Sequence, residues 1–350
     1  MSTTIRAVVA HAAQDLRLED RPDPGAPGPG QVRVRIARGG ICGSDLHYFH
    51  HGGFGTVRLR EPMILGHEVA GHVEAVGAGV ADLTRGQLVA VSPSRPCRAC
   101  AFCLEGLPNH CADMRFYGSA MPMPHVQGAF REVVLAEAAQ CAPADGLSPA
   151  EAAMAEPLAV CLHAVRQAGD LIGATVLVTG CGPIGVLTIL AARRAGAGRI
   201  VATDLSGFCR DMALRAGADA AVDAADAAAL APLQAGKGTV DAAFECSGAA
   251  PALATAVAAL RPRGVLVQLG LGGDMAVPMQ ALTAKELTLR GSFRFHPEFH
   301  AGVALMRRGL IDVGPLVTHS VPLADAVDAF RLAGDRSRAM KAQLVFPGAG

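Results

Sequence analysis

The second half of the chain, from about residue 174 onward, alternates short apolar strands with Ala-rich helices. In chain order the segments are ATVLVTG, PIGVLTILAARRAGA, RIVATD, GFCRDMALRAGA, VDAAFECSG, PALATAVAALRPRG and VLVQLG. A strand followed by a helix and a further strand forms a βα unit, and successive units build a parallel sheet covered on both faces. The pattern therefore predicts an α/β fold with a doubly wound parallel sheet.

A glycine-rich motif, GCGPIG at 180–185, follows the first of these strands and opens the first helix. The G-x-G-x-x-G spacing alone is a weak signal. At a strand-to-helix turn, however, it lets bare backbone amides and a helix N-terminus converge on an anion such as a pyrophosphate. The sequence predicts a dinucleotide site whose candidate residues are Gly180, Gly182, Pro183, Ile184 and Gly185.

An acid at the end of the next strand suggests which dinucleotide binds. Asp204 stands 19 residues after Gly185, where a carboxylate accepts hydrogen bonds from a ribose 2'-hydroxyl and repels a 2'-phosphate. NAD is therefore favoured, with Leu205 assigned to the same pocket. Arg210 leaves NADP as an alternative, because an arginine here accommodates the extra phosphate.

The first 150 residues show a different period. In QVRVRIARGG, Val32, Val34 and Ile36 alternate with polar residues, and GHEVAGHVEAVGAGV is broken by glycines. This alternation predicts short antiparallel strands curled into a partial barrel. After about residue 290 two helices and a strand-like KAQLVF follow, and we expect this tail to return to the first domain. The predicted boundaries are 1–152, 153–290 and 291–350.

Four cysteines crowd the segment RPCRACAFCLEGLPNHC, in a lobe of about residues 95–115. Their C-x2-C-x2-C-x7-C spacing suits a tetrahedral zinc bound by Cys97, Cys100, Cys103 and Cys111. Such a site is structural because no coordination position is open to water or substrate. The alternative, unliganded thiols, fits such regular spacing poorly.

A second set of metal-ligating residue types is spread over three segments: CGSDLHYF, LGHEVAGH and MAEPLAV. They offer Cys42, His67, Glu68 and Glu156. A cysteine, a histidine and a carboxylate are the right mixture for a catalytic zinc with one open position. Each residue alone would more often be structural, and the combination with a dinucleotide site makes the catalytic interpretation the stronger one.

The order of these motifs over nearly the whole chain resembles the zinc-dependent medium-chain dehydrogenases. Glu156 stands where the alcohol dehydrogenases usually carry a cysteine, so CGSDLHY and AEPLAV look like the polyol and sugar-acid branch. The segments CADMRFYGSAMPMPHVQGAF, LRGSFRF and LAGDRSRAMKAQLVF most resemble members acting on sugar acids such as L-idonate. The resemblance implies a GroES-like catalytic domain, a Rossmann domain between its two segments, and a homodimer or homotetramer.

The resemblance also assigns roles to residues. It implies a catalytic zinc on Cys42, His67 and Glu68, with Glu156 either ligating zinc or holding its water, and leaves the steady third ligand open. Further residues take these roles: Ser44 starts a proton relay, Tyr48 and Arg294 line the substrate pocket, and Arg115 and His125 contact a sugar acid or only brace loops. Phe295 departs from the tyrosine often found in sorbitol dehydrogenases, which weakens a simple polyol assignment.

The predicted protein is therefore an enzyme with two zinc ions per chain that moves a hydride from the secondary alcohol of a sugar acid to NAD. Alternatives are a sorbitol or xylitol dehydrogenase, a threonine dehydrogenase, and a non-catalytic family member. The 31 basic residues balance 31 acidic ones, which argues against nucleic-acid or membrane partners. Without an apolar stretch of about 20 residues or a secretory signal, we expect a cytoplasmic location.

Overall fold

The computed structural model describes residues 4–348 of the chain. In this range twelve strands and three α-helices precede residue 153. The strands are β1 (Thr4–Ala12), β2 (Asp15–Pro22), β3 (Gln31–Gly40), β4 (Gly53–Phe54), β5 (Val57–Arg58), β6 (Met63–Ile64), β7 (Glu68–Val76), β8 (Leu88–Val91), β9 (Ser94–Arg95), β10 (Arg115–Phe116), β11 (Val133–Glu137) and β12 (Cys141–Pro143). The helices are α1 (Gly43–His51), α2 (Ala101–Leu104) and α3 (Pro149–Ala152).

The second unit is the predicted parallel sheet with its helices. Its strands are β13 (Thr175–Thr179), β14 (Arg199–Asp204), β15 (Ala220–Asp223), β16 (Val240–Glu245), β17 (Leu260–Gln268) and β18 (Thr288–Gly291). Its helices are α4 (Ala155–Ala168), α5 (Pro183–Arg194), α6 (Gly207–Arg215), α7 (Ala227–Leu230), α8 (Ala250–Ala259) and α9 (Met279–Ala284). The strand order β15-β14-β13-β16-β17-β18 reverses beside β13, where doubly wound folds bind dinucleotides.

The remaining elements are α10 (Glu298–Arg307), β19 (Val317–Pro322), α11 (Ala326–Gly334) and β20 (Lys341–Val345). Strand β20 pairs antiparallel with β3 and parallel with β19, so the chain's tail joins the first sheet. The predicted boundary at residue 152 falls between α3 and α4, and that at 290 falls within β18.

Strand β3 is the centre of the first unit. It pairs with β7, β11 and β20 in a seven-stranded sheet, and its residues Val32, Val34 and Ile36 are fully buried. Because side chains alternate between faces, the apolar set of β3 packs into one core. Irregular pairing between β3 and β7 bends the strands, as the predicted curled sheet requires.

The structure differs from the sequence prediction around LRPRG. The apolar pattern predicts a helix over PALATAVAALRPRG, but α8 ends at Ala259 and β17 begins at Leu260. Pro262 explains the change, because it cannot continue a helix and it biases the residue before it toward extended backbone. The short strands β15 and β18 lie at the two edges of the sheet, and the apolar pattern did not predict them.

Candidate active site and metal centres

The four cysteines of the lobe come together as the spacing predicts. The sulfur atoms of the four residues lie within 4.8 Å of one another: Cys97, Cys100, Cys103 and Cys111. Backbone amides donate to these sulfurs, for example from Cys100 N to Cys97 Sγ at 3.3 Å and from Cys97 N to Cys111 Sγ at 3.2 Å. Such amides favour thiolates and hold the pKa of Cys100 at about 6. The donor set fits a zinc ion and fills its coordination.

The second cluster is largely buried, with His67 and Glu68 buried and Cys42 partly exposed. Ligand atoms of Cys42, His67 and Glu68 lie within 4.8 Å of one another. Cys42 caps α1, while His67 and Glu68 stand at the start of β7, so two distant segments must be joined.

Asp45, which sequence analysis did not identify, connects the segment of Cys42 with that of His67. Its carboxylate accepts from Cys42 N at 3.0 Å and from Gly66 N at 3.1 Å, and Oδ1 lies 3.6 Å from His67 Nδ1. The local sequence explains both ends. Asp45 is the third residue of α1 and forms a capping box with Cys42, while Gly66 has φ of +93° and a Cβ there would collide with the ring of Phe130.

The buried cluster suits a divalent cation. Burial raises the pKa of Cys42 to about 12 and that of Glu156 to about 8, so neither group ionises fully at neutral pH without a positive charge beside it. His67 is buried, and because its Nδ1 faces the Asp45 carboxylate, Nε2 is the ring nitrogen left for a metal. A sulfur, an imidazole and carboxylates form the mixed donor set of a catalytic zinc.

Glu68 and Glu156 differ in their partners. Lys341 Nζ donates to both carboxylate oxygens of Glu68, at 2.9 and 2.7 Å, and both side chains are almost fully buried. Glu156 lies in the first turn of α4, outside the tight cluster, and its pKa is raised by burial and by the nearby Glu68 and Cys42. Lys341 was missed by sequence analysis because it arrives from the tail of the chain.

Ser44 and Tyr48 both lie on α1 beside this centre. Ser44 Oγ is 3.5 Å from His67 Nε2, in the position expected for the start of a proton path. The hydroxyl of Tyr48 accepts from Ala120 N at 3.0 Å, and the side chain is buried. Tyr48 therefore also supports the loop that carries Met121.

Arg294 is held between two aromatic rings. Its guanidinium carbon lies 4.5 Å from the ring centroid of Phe116 and 4.8 Å from that of Phe293, while Nη2 is 3.8 Å from the sulfur of Met121. The Phe116 ring in turn lies 5.5 Å from the ring of His67. Arg294 is thus a half-buried cation one ring away from the metal-ligand cluster.

The other predicted substrate residues are less favourably placed. His125 is buried, its Nε2 accepts from Arg60 N at 2.9 Å and its Nδ1 is 2.9 Å from the carbonyl of Pro122, so the geometry favours the loop-bracing alternative. Arg115 lies on β10 next to Phe116 and is partly exposed. Phe295 is buried and stacks on Phe299, which gives the substitution at this position a packing role.

The glycine turn has the cradle that a dinucleotide needs. Gly180 has φ of +84°, and a Cβ there would approach the Cβ of Ser247 to 2.7 Å. A Cβ on Gly185 would collide with the carbonyl of Gly180. Helix α5 begins directly after Gly182, so its free backbone amides open toward the turn.

Asp204 fastens this turn. Its Oδ2 accepts from Cys181 N at 2.7 Å and its Oδ1 accepts from Ser206 N at 2.8 Å. Leu205 follows as a largely exposed apolar residue. The carboxylate therefore lies between the glycine turn and the strand end, where the adenosine ribose is expected.

Arg210 is already engaged by the protein. Its Nη1 donates to the carbonyls of Asp204 and Leu205, at 2.8 and 2.9 Å, and lies 3.1 Å from a carboxylate oxygen of Asp223. A 2'-phosphate would have to compete with these partners, which supports the preference for NAD.

Arg336 lies at the glycine turn, and the sequence did not reveal it. It follows α11, and its guanidinium lies so close to Gly182 that a Cβ there would collide with it. Its carbonyl accepts from Ser206 Oγ at 3.2 Å. A cation at the glycine turn matches the pyrophosphate expected there, but it comes from a segment about 150 residues away with no local motif.

The comparisons with known proteins agree with this geometry. Residues 28–146 match the alcohol dehydrogenase GroES-like domain, and residues 183–308 match the zinc-binding dehydrogenase domain. The chain is 44% identical over 319 residues to L-idonate 5-dehydrogenase (NAD(P)(+)) of Escherichia coli, with 89% of this chain and 91% of that protein covered. The chain belongs to the zinc-binding dehydrogenases.

Further relatives of this dehydrogenase fall in the predicted branch. It is 37% identical over 330 residues to sorbitol dehydrogenase of Gallus gallus, covering 93% of this chain and 92% of that one. The crystal structure of the Escherichia coli L-idonate enzyme superposes with a TM-score of 0.93 at 41% identity, covering 99% of both chains. The 2R,3R-butanediol dehydrogenase of Bacillus subtilis gives 0.86 at 30% identity, covering 97% of this chain and 99% of that one.

These findings confirm the predicted family, the enzyme class of zinc-dependent NAD(P) dehydrogenases, and the pairing of a GroES-like with a Rossmann domain. Within residues 4–348, no helix combines the length and the apolar character needed to cross a bilayer.

Proposed function

We propose that this dehydrogenase oxidises the secondary alcohol of a sugar acid, L-idonate to 5-keto-D-gluconate, and delivers the hydride to NAD. The observation that carries the proposal is Arg294, a cation held by Phe116 and Phe293 beside the metal-ligand cluster, whose one side-chain hydrogen bond within residues 4–348 goes to Met121. A guanidinium matches a carboxylate with two parallel hydrogen bonds, which an uncharged polyol terminus cannot reproduce. The Escherichia coli relative bears the name of this activity.

We infer two zinc ions per chain, one on the four cysteines and one on Cys42 and His67 with Glu156 as the third ligand. Charge balance supports Glu156, because Lys341 already neutralises Glu68, whereas a thiolate and the Glu156 carboxylate together neutralise a divalent ion. Zinc, when bound, supplies Lewis-acid polarisation of the substrate hydroxyl.

The protein's own groups then orient the substrate and move its proton. Arg294 fixes the carboxylate end of the substrate, so that one secondary hydroxyl faces the cluster. Ser44 Oγ, near His67 and partly exposed, takes the proton of that hydroxyl and passes it toward solvent. The glycine turn, Asp204 and Arg336 hold the dinucleotide at the other side of the cleft.

Initial rates with NAD and NADP on L-idonate, D-gluconate, sorbitol, xylitol and L-threonine test the proposal. We expect the highest kcat/KM with L-idonate and NAD. Arg294→Met should reduce kcat/KM for L-idonate about 30- to 150-fold, equivalent to about 2 to 3 kcal/mol, because it removes charge-assisted hydrogen bonds. It should change kcat/KM for sorbitol little.

An equal loss on both substrates, or a wild-type preference for sorbitol, would instead support a polyol dehydrogenase. Preferred oxidation of L-threonine would establish the threonine alternative. Absence of turnover on all five substrates, with both zinc ions present, would support a non-catalytic family member.

We further propose that two copies pair through β18. This strand is the edge of the parallel sheet, and all four of its residues are exposed, including Leu289 at 43%. Strands of parallel sheets are normally covered, so an exposed edge of this kind is a template for a partner strand. Light scattering should show a dimer or a tetramer, and Leu289→Lys should shift it toward monomer.

We also propose a cytoplasmic location. All ten cysteines are free thiols in the structure, including the buried Cys141 and Cys161. Zinc-binding thiolates persist in a reducing compartment and oxidise outside one. Fractionation of the producing cells, with the activity assayed in each fraction, tests this location.

A further inference from the structure

The cysteine lobe touches the segment that carries Arg294. Asn109 Nδ2 donates to the carbonyl of Phe293 at 3.1 Å, and the Asn109 side chain is only 6% exposed. The ring of His110 lies 5.8 Å from the ring of Phe293. Both residues belong to the 3-10 turn Pro108–His110, which leads directly into Cys111. Phe293, one of the two rings beside the Arg294 guanidinium, is therefore held in place by the lobe.

Phe116, the other ring beside Arg294, is held in place by the same lobe. Phe116 lies on β10, and β10 pairs with β9 through Arg115 to Arg95 and Phe116 to Ser94. These two strands flank the lobe, because β9 enters it just before Cys97 and β10 leaves it after Cys111. Both rings around the guanidinium are thus set by the position of one small segment.

Arg294 needs such external support. Its backbone has φ of +55°, in the left-handed region that a non-glycine residue adopts only at a cost in free energy. Burial lowers the pKa of its guanidinium, because the charged form loses part of its hydration. A free arginine side chain also samples many rotamers, and fixing it in one rotamer costs conformational entropy. The two rings and Met121 are what hold the group in one position.

We propose that the cysteine lobe positions Arg294 for the substrate carboxylate, with Asn109 and His110 as positioning residues. The inference rests on the proposed function, in which Arg294 binds that carboxylate. It gives the lobe a part in substrate selection in addition to stabilising its own loop. The lobe acts through the Phe293 carbonyl and ring, without contact to the substrate.

The kinetic test compares Asn109→Ala and His110→Ala with Leu104→Ala, an exposed position of the same lobe. Asn109→Ala should raise KM for L-idonate about tenfold, the value of one hydrogen bond of roughly 1.4 kcal/mol, with kcat and the sorbitol KM nearly unchanged. His110→Ala should act in the same direction and less strongly, and Leu104→Ala should act on neither substrate. In an Arg294→Met background Asn109→Ala should add nothing. Equal losses on both substrates, or additive losses in the double variant, would overturn the proposal.

A second measurement needs no substrate. Phenylglyoxal modifies accessible arginines, and peptide mass spectrometry gives the rate at Arg294 relative to the exposed Arg331. We expect Asn109→Ala to raise this ratio several-fold with two zinc ions still bound, and Leu104→Ala to leave it unchanged. An unchanged ratio in both Asn109→Ala and His110→Ala would refute the positioning role. A raised ratio together with wild-type preference for sorbitol would uphold the positioning role and refute carboxylate recognition.

Discussion

The two metal-ligand clusters of this dehydrogenase are built in opposite ways. The lobe takes four identical donors from one segment, residues 97 to 111, and keeps Cys97 exposed. The second cluster takes the thiol of Cys42, the imidazole of His67 and the carboxylate of Glu68 from distant segments, and the ammonium of Lys341 is buried against Glu68. The first is a property of local sequence, whereas the second exists only when both halves of the catalytic domain and α4 have folded together.

The two clusters also differ in the pKa values of their ligand groups. Backbone amides lower the pKa of Cys97 and hold that of Cys100 at about 6, whereas burial and the neighbouring thiols raise that of Cys103 to about 12, so only part of the lobe is ionised at neutral pH before any metal binds. Burial raises the pKa of Cys42 to about 12 and that of Glu156 to about 8. A metal that enters this buried cluster must displace protons from both groups, so a chelator should remove the proposed catalytic ion first.

Loss of one ligand from each cluster should produce the largest contrast. Cys42→Ala should leave about one zinc per chain and reduce kcat/KM by at least about a thousandfold, because an open-site metal contributes several kcal/mol to the transition state. Cys103→Ala should remove the other zinc and retain measurable turnover. Metal analysis and initial rates on the same samples check both. Full turnover in Cys42→Ala would contradict the assignment of the catalytic site.

The buried ion pair should have the next largest effect. Lys341→Met leaves the Glu68 carboxylate buried without a partner, so we expect a loss of about 3 to 5 kcal/mol in the free energy of unfolding. The double variant Lys341→Met with Glu68→Leu should recover most of this loss, since both charges are gone. Urea unfolding in zinc-saturated buffer measures the difference.

An exposed ion pair provides the matched control. Arg331 and Asp328 pair at 2.9 Å with 68% and 75% of their side chains exposed, so Arg331→Met should cost less than about 1 kcal/mol. If Lys341→Met cost as little unfolding free energy as this control, the charge of Glu68 would be neutralised without Lys341. The charge balance that favours Glu156 as the zinc ligand would then fail.

Sequence patterns predicted what is local in this molecule. The βα succession and GCGPIG gave the Rossmann sheet and its turn, and the cysteine spacing gave the lobe. The helix expected over LRPRG failed at Pro262, and β15 was missed because a short edge strand carries little apolar signal.

The missed site residues share long sequence separation. Lys341 reaches Glu68 across 273 positions, and Asn109 reaches Phe293 across 184. The partners of both residues are chosen by the tertiary fold, so no spacing rule identifies them. Asp45 was the exception. Its capping box with Cys42 is a local signal, and the motif CGSD contained it.

The cofactor site is intermediate between the local cysteine lobe and the long-range buried cluster. Substitutions in it should have the smallest effect on activity. Its acids are close to the glycine turn in sequence, as in the lobe, but partly buried, as in the catalytic cluster. Asp204→Ser should narrow the NAD to NADP ratio of kcat/KM by about tenfold, because the carboxylate no longer repels a 2'-phosphate. Since Asp204 also accepts two backbone amides, KM for NAD itself should rise, and the ratio is the quantity to measure.

Asp223→Ala separates the two causes of cofactor choice. It releases Arg210 from its acidic partner and leaves Asp204 and the glycine turn intact, so it should improve NADP use without weakening NAD. Combined with Asp204→Ser, it should move the ratio further, because the freed guanidinium can then pair with the phosphate. A wild-type enzyme that already prefers NADP would show that Arg210 exchanges Asp223 for the 2'-phosphate on its own, and would assign cofactor choice to the arginine instead of to Asp204.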